Sequence, residues 1–467
     1  MTSATARRQH GHRFHPSLLR EYDLRGRIGE SLFAEDAYFL GRAVATEARS
    51  DGRSRLAVGL DGRLSSPELE QRLVEGLCDG GIAVTRLGRG PTPLLYFAIE
   101  KESLDGGVMV TGSHNPPDEN GFKIVLGQEP FHGARIRALG EIAAAGDFVE
   151  GVGTVADCDL RSDYAKALAN ELAGGADLAV TWDSGNGATG EIVRALTQLI
   201  PGRHVLLNTE IDGRFPAHHP DPTVPRNLEQ LRATVTGQGC DLGIAFDGDG
   251  DRIGVVDGEG CILWADQLMI LLSEAILREH PGAPIVGDVK ASQTLFDAIA
   301  AAGGRPVLSA SGYTIIRDRM LQEGAPLAGE MSGHIFFNDR WTGYDDALYV
   351  AVRALAVLGQ TGESLAAFRR RLPAVESTPE LRIPCPDDRK AEVVRNIAAR
   401  LRETGAEIDE TDGIRVRDGR GWWLLRPSNT QAVLAARCES TDAADLSRIR
   451  QRLAGLIAEH GLELPEA

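Results

Sequence analysis

The sequence predicts an α/β protein of several domains that ends in an α+β portion, and three observations carry that expectation. Short apolar runs alternate with amphipathic segments over most of the 467 residues, the pattern left by strand–helix units. A strand-like run followed by a turn rich in glycine and aspartate recurs about every hundred residues, which suggests three related α/β domains. The chain is also too long for a single hydrophobic core.

Taken in order, Leu56–Leu60 reads as a strand ending at Asp61-Gly62-Arg63. The helix after it has Ser65 and Ser66 as cap candidates, Pro67 in its first turn, Leu69, Leu73 and Leu77 as its buried stripe, and Gly80-Gly81 as its stop. Ile82–Thr85 is the next strand. Leu178–Thr181 leads into Asp183-Ser-Gly-Asn-Gly187, and Leu242–Phe246 into Asp247-Gly-Asp-Gly-Asp251. A third copy starts at Ile285–Val289. The charged, proline-bearing stretch Arg369–Pro379 reads as a linker to the last portion. There Leu381–Pro384 opens the pattern, Lys390–Arg402 is helical, and Trp422–Leu425 and Ala432–Ala436 are strand-like. A final helix carries Leu446, Ile449, Leu453 and Leu456. These elements put the domains at 1–158, 159–261, 262–373 and 374–467.

A formal charge of −17 argues against a nucleic-acid footprint. No apolar stretch is long enough to span a bilayer, and no apolar segment follows Arg7, Arg8 and Arg13, so neither a membrane span nor a secretory signal is expected. The six scattered cysteines lack a C-x-x-C pair and read as reduced thiols of a cytoplasmic protein.

Two clusters suggest chemistry together. Thr111-Gly-Ser113-His-Asn-Pro-Pro117 follows the apolar run Val108–Val110 and places one hydroxyl in a loop shaped by glycine and proline. A serine in such a loop is usually a turn former, and His114 next to it would point away on an extended chain. Asp247, Asp249 and Asp251 alternate with glycine; on an extended segment they share a face, and their repulsion calls for a cation. An EF-hand is excluded because Arg252 and Gly258 stand at its sixth and twelfth positions. All-oxygen ligands favour Mg²⁺ over zinc. Lys123 is close enough in sequence to reach back over the serine loop. Gly329-Glu330-Met331-Ser332-Gly333-His334 sets an acceptor, a hydroxyl and an imidazole on alternate positions, suited to sugar hydroxyls. Arg426-Pro427-Ser428-Asn429-Thr430 offers a guanidinium, hydroxyls and an amide, an inventory that fits a phosphate dianion.

Five motifs in order, Tyr22-Asp-Leu-Arg25-Gly26, Thr111–Pro116, Asp247–Arg252, Gly329–His334 and Arg426–Thr430, resemble the α-D-phosphohexomutase superfamily, in particular its bacterial phosphomannomutase/phosphoglucomutase group. The resemblance implies four domains around a central cleft. It implies a phosphoserine at Ser113, with Mg²⁺ held by its phosphate and by Asp247, Asp249 and Asp251. Arg25, Lys123 and Arg252 would surround the phosphoryl group, with His114 beside it. Tyr22, Lys290, Tyr313 and residues Glu330 to His334 would line the sugar site, and Arg426 to Thr430 would hold the phosphate that is not transferred. The implied reaction interconverts hexose 1- and 6-phosphates of mannose and glucose through a hexose 1,6-bisphosphate, which also serves as activator. The partner is a small phosphosugar; a monomer is expected, with a dimer open.

Two positions depart from the family pattern. The segment matching Ser311-Gly-Tyr313 usually carries a histidine, and a tyrosine titrates far above neutral, so the acid/base role passes to His334 or Lys123. Pro427 stands where a small residue is common. The rival readings are a phosphoglucosamine mutase, whose group usually has glutamine at the place of Met331, and a metal-dependent sugar phosphatase.

Overall fold

The computed structural model describes residues 11–127, 131–172, 177–428 and 432–465. The chain divides into two compact units, one formed by Met1–Leu272 with Ser332–Ala366 and the other by Ser273–Met331 with Ala367–Ala467.

The first unit holds two mixed sheets. In the first sheet, Thr154–Asp157, Ala83–Arg89, Arg55–Leu60 and Gly106–Val110 run parallel, and Glu119–Leu126 and Leu24–Arg27 continue it antiparallel. The parallel strands Arg55–Leu60, beyond its exposed first residue, and Gly106–Val110 are apolar and buried, as strands of a parallel sheet covered on both faces are. Helix Ser66–Asp79 buries Leu69, Leu73 and Leu77 against this core, as its spacing predicts. Its N-cap Ser65 makes no side-chain cap bond; the Ser66 hydroxyl turns back to Asp61 instead.

The second sheet repeats the plan. Arg203–Leu207, Ala179–Asp183 and Leu242–Phe246 are parallel, and Ile253–Asp257 and Ile262–Leu263 follow antiparallel. In both sheets a parallel strand delivers its C-terminal loop and the chain returns as an antiparallel neighbour: Thr111–Asp118 in one, Asp247–Arg252 in the other. The C-terminal ends of parallel strands are where α/β folds present ligand-binding loops.

In the other unit, Arg305–Ser309, Pro284–Asp288 and Leu327–Gly329 form a parallel set. A separate antiparallel sheet orders Glu376–Ser377, Val433–Ser440, Gly421–Pro427, Ile414–Asp418 and Ile408–Asp409, with Leu381–Pro384 also paired to Val433–Ser440. Helices Asp387–Glu403 and Ala443–Ala458 pack Ile397, Leu401, Ile449 and Leu453 against Trp423, Leu425 and Leu434. The expected linker Arg369–Pro379 instead contains the last turn of helix Leu365–Arg371 and a short strand whose Glu376 and Ser377 pair with Ser440 and Glu439. Available ladder partners outweigh its charged composition. All six cysteines are free thiols. Among the described residues no helix is long and apolar enough to cross a membrane.

Candidate active site

Ser113 is buried at the end of strand Gly106–Val110, and its backbone is left-handed, with φ of 48°. A non-glycine residue held there costs on the order of 1–3 kcal/mol and persists only where its surroundings over-determine it. The turn brings its Oγ to 2.7 Å from Asp247 Oδ2, to which it donates, and to 3.1 Å from His114 Nδ1. The expectation that His114 points away therefore fails, because the chain here is a turn and not an extended strand. Burial, then the charges of Arg252 and Arg25, hold the His114 imidazole well below its usual range. His114 is neutral beside the serine.

The aspartates also converge by a turn and not by extended alternation. Asp247 Oδ1 accepts the backbone N–H groups of Gly250, Asp251 and Arg252 at 2.9, 3.1 and 3.2 Å, which curls the loop around its own first carboxylate. All three carboxylates are buried and offer oxygens within 4.8 Å of one another. A β-carbon on Gly248 would lie 2.3 Å from the Ser113 carbonyl oxygen, so glycine lets the two loops touch. Lys123, on strand Glu119–Leu126, donates to Asp249 Oδ2 at 2.7 Å and also bonds Asp251 Oδ2. Thr92 donates its hydroxyl to the same Asp249 oxygen at 2.6 Å. Burial pushes the Asp247 carboxyl well above the usual range, helped by the charges of Asp249 and Asp251. Burial acts on Asp249 in the same sense, but the Lys123 ammonium and the Thr92 hydroxyl outweigh it and hold that group low.

The residues fit a metal ion. Oδ1 of Asp249 and Oδ1 of Asp251 are buried with no hydrogen-bond partner among the described residues, which leaves each as a hard anionic donor in the cluster. With Asp247 and Ser113 the set is all oxygen.

Arg25, on strand Leu24–Arg27, donates from Nε to Asp23 at 2.7 Å and from a terminal nitrogen to Asn115 Oδ1 at 2.7 Å, which fixes it over the serine loop. Tyr22 has its ring centroid 6.5 Å from that of His132. Arg252 donates from Nε to His334 Nε2 at 2.9 Å, and His334 Nδ1 lies 2.7 Å from Asp345 Oδ2. That pair of bonds sets the neutral tautomer with the proton on Nδ1. Lys123 is an ammonium between carboxylates and the His334 Nε2 lone pair is engaged by Arg252, so neither is an available base in this arrangement.

Glu330, Ser332 and His334 sit on a turn and not on an extended strand. Strand Leu327–Gly329 ends before them, and Gly333, with φ of 99°, turns the chain. Glu330 and Met331 belong to the second unit, Ser332 to His334 to the first. Glu330 Oε1 lies 3.4 Å from Lys290 Nζ, and Asp288 Oδ2 lies 3.8 Å from the same nitrogen. Burial alone would lower the Lys290 pKa, but these two carboxylates raise it, so the lysine is charged. Met331 donates its N–H to Asp288 Oδ1 at 3.3 Å, and its sulfur contacts Arg437. The Ser332 hydroxyl is buried with no hydrogen-bond partner among the described residues. Tyr313 is the first residue of helix Tyr313–Glu323, behind Gly312. Arg426 Nε donates to Asp412 Oδ2 at 2.7 Å, and Asp412 also accepts the Ser311 N–H at 3.1 Å. Pro427 ends strand Gly421–Pro427, and the Ser428 carbonyl accepts from Lys390 Nζ at 2.7 Å. Asn429 and Thr430 lie outside the described residues.

Sequence reasoning missed Asp61, Arg63, Thr92 and Asp345. The first two stood in a segment read as a strand end, and nothing in the spacing of Thr92 or Asp345 marks them. The signal present was the apolar run before Asp61, which matches the run before Thr111.

The chain matches four family models: Phosphoglucomutase/phosphomannomutase, alpha/beta/alpha domain I at residues 16–150, domain II at 162–260, domain III at 264–375, and the C-terminal domain at 380–456. It is similar to a phosphomannomutase/phosphoglucomutase of Pseudomonas aeruginosa, 42% identical over 434 residues that cover 93% of this chain and 94% of the relative. A phosphoglucomutase of Neisseria gonorrhoeae is 39% identical over 94% of this chain and 96% of its own length. A solved phosphoglucomutase/phosphomannomutase family protein of Burkholderia thailandensis superposes with a TM-score of 0.92 at 37% identity, covering 97% of this chain and 100% of that one. A more distant structure, an N-acetylphosphoglucosamine mutase of Aspergillus fumigatus in complex with GlcNAc-6P and magnesium, shares the fold at 13% identity, with a TM-score of 0.60 over 93% of this chain and 94% of that one. With four domain matches in order and this identity over nearly its whole length, the chain belongs to the phosphoglucomutase/phosphomannomutase family.

Proposed function

We propose that the protein is a phosphohexomutase that interconverts the 1- and 6-phosphates of mannose and glucose, with Ser113 as the phosphoryl carrier. One observation supports this above the rest: the Ser113 hydroxyl donates to Asp247 at 2.7 Å, at the edge of three buried aspartates that also hold Lys123. A phosphorylated Ser113 with three aspartates carries about −5, so the transfer needs the surrounding cations Arg25, Lys123 and Arg252 and a divalent ion. Asp247, Asp249, Asp251 and Ser113 would hold Mg²⁺, which supplies charge neutralisation for the transferring group.

In the first transfer a free hydroxyl of the hexose phosphate attacks phosphorus. A new P–O bond forms, the bond to Ser113 Oγ breaks, and the hydroxyl proton leaves to a base. The resulting hexose 1,6-bisphosphate turns over and returns its other phosphoryl group to Ser113. Binding must suit two orientations, which favours contacts to mid-ring hydroxyls from Glu330 and Ser332. Such contacts discriminate poorly at C2, where glucose and mannose differ. Tyr22, Lys290, Tyr313 and Met331 complete the sugar site, and the Arg426–Thr430 segment holds the distal phosphate. Arg252 must release His334 Nε2 for that imidazole to take the hydroxyl proton; a phosphate dianion is the partner that competes for the guanidinium. Added hexose 1,6-bisphosphate restores any serine that has lost its phosphoryl group. The domain limits 1–158, 159–261, 262–373 and 374–467 are part of the same reading, as are a monomeric state and a cytoplasmic location.

The test is a pair of coupled assays on glucose 1-phosphate and mannose 1-phosphate. Formation of the 6-phosphates without release of inorganic phosphate is expected. Stoichiometric phosphate release with no isomer would make the protein a sugar phosphatase.

A further inference from the structure

Asp61 directly follows strand Arg55–Leu60, the neighbour of the serine strand, and Arg63 follows it in the same turn. Both are buried, at 2% and 1% exposure. The Arg63 guanidinium donates to the carbonyls of Ser113, Asn115, Pro116 and Glu119 at 2.6, 2.7, 2.5 and 2.8 Å. Its Nε lies 3.2 Å from Asp61 Oδ2. That Asp61 oxygen also accepts the Thr111 hydroxyl at 2.8 Å and the Gly112 N–H at 3.2 Å, and Thr111 Oγ1 accepts the Ser113 N–H at 2.8 Å. A β-carbon on Gly112 would sit 2.5 Å from Arg63 Nε, so the glycine makes room for the guanidinium. The serine loop is thus gripped on its carbonyls by Arg63 and on its N–H side by Asp61 through Thr111.

The same device recurs in the other unit. Asp288 ends strand Pro284–Asp288, is buried, and accepts the Met331 N–H at 3.3 Å and the Ser311 hydroxyl at 3.0 Å. An aspartate at the end of the neighbouring parallel strand braces the functional loop in both places.

We propose that Asp61 and Arg63 are positioning residues that hold Ser113 in its left-handed conformation, with Thr111 relaying the Asp61 carboxylate to the Ser113 amide. This rests on the reading of Ser113 as the phosphoryl carrier. An in-line transfer tolerates little displacement of the attacked phosphorus, so a loosened loop lowers turnover while leaving sugar contacts, made elsewhere, in place.

The experiment compares wild type with Thr111→Val, which is isosteric but breaks the relay, and Arg63→Lys, which keeps the charge but cannot span four carbonyls. Each is pre-phosphorylated with glucose 1,6-bisphosphate and assayed on glucose 1-phosphate, with melting temperature and intact mass measured. Thr111→Val is expected to fold and to take up one phosphoryl group. Its kcat should fall about tenfold or more with KM within about twofold, and Arg63→Lys should lose at least as much. Wild-type kcat in a folded, phosphorylated Thr111→Val protein overturns the proposal, as does a kcat loss that only follows a loss of folded protein. If Arg63→Lys does not fold, Thr111→Val decides alone. Failure of the underlying reading looks different: Ser113→Ala would keep turning over, or the phosphoryl group would be found on another residue.

Discussion

Lys123 Nζ lies 2.7 Å from Asp249 Oδ2 and bonds Asp251 as well, so its ammonium bridges two of the three aspartates. Removing one partner from a buried charge pair costs about 3–5 kcal/mol. Lys123→Met should therefore melt well below wild type in EDTA, and saturating Mg²⁺ should narrow the gap by taking over the neutralisation. Melting curves with and without Mg²⁺ check this; a gap insensitive to Mg²⁺ would contradict it. In the same assays EDTA should stop turnover of the wild type and Mg²⁺ should restore it.

Asp345 fixes the tautomer of His334 by accepting its Nδ1–H. Asp345→Ala should lower kcat by about tenfold to a hundredfold, and Asp345→Asn should retain more, since an amide oxygen still accepts that bond. Steady-state kinetics of the two variants provide the comparison. Equal losses would show that the acceptor is not what matters.

Asp346 caps helix Ala347–Thr361 by accepting the Tyr349 N–H, and also accepts from Tyr164 and Trp341. Burial raises its carboxyl from the ordinary 3.8 to about 6, with the charge of Asp345 adding to the rise. The protonated form is thus favoured by folding. Its contribution is complete below the unfolded-state value and is lost as pH rises through about 6. Asp346→Asn keeps an acceptor for the cap and does not titrate. The unfolding free energy of wild type minus that of the variant should fall by up to about 3 kcal/mol between about pH 4 and pH 7 and then stay flat. Urea titrations across that range measure it, and a difference that rises with pH would refute the assignment.

Arg426 is held by Asp412 and is proposed to grip the phosphate that is not being transferred. A charge-assisted bond of about 1.5–3 kcal/mol makes Arg426→Ala raise KM for glucose 1-phosphate by roughly ten- to a hundredfold. A kcat loss at unchanged KM would instead place Arg426 at the reacting centre.

The strands and helices that carry the site were readable because their apolar periodicity is strong, as in Leu69, Leu73 and Leu77. Ser113, Lys123 and the three aspartates were readable as an ordered set of motifs. What the sequence could not convey is how turns aim side chains. Residues 247 to 251 converge because Asp247 draws three N–H groups around itself, and Ser113 meets His114 because its φ is positive. Alternation along an extended chain puts the three aspartates on one face, but it predicts neither the turn of N–H groups that gathers them nor the meeting of Ser113 with His114. Asp61 and Arg63 act through carbonyls and amides some fifty residues away in sequence, and backbone groups leave no mark in residue types. Glu330 and His334, four positions apart, were read as lying along an extended segment, yet the chain between them is a turn, with Lys290 beside Glu330 and Arg252 beside His334.

If Ser113 carries the phosphoryl group in transit, that group can be followed from donor to enzyme to sugar. The enzyme is charged with glucose 1,6-bisphosphate labelled in its phosphate, digested, and the labelled peptide located by mass spectrometry; a second sample is chased with unlabelled glucose 1-phosphate. Label is expected on the peptide containing Ser113, with transfer to hexose phosphate during the chase at a rate that matches turnover, and neither label nor turnover is expected in Ser113→Ala. Label on a different residue, or label on Ser113 that the chase does not remove, would contradict it.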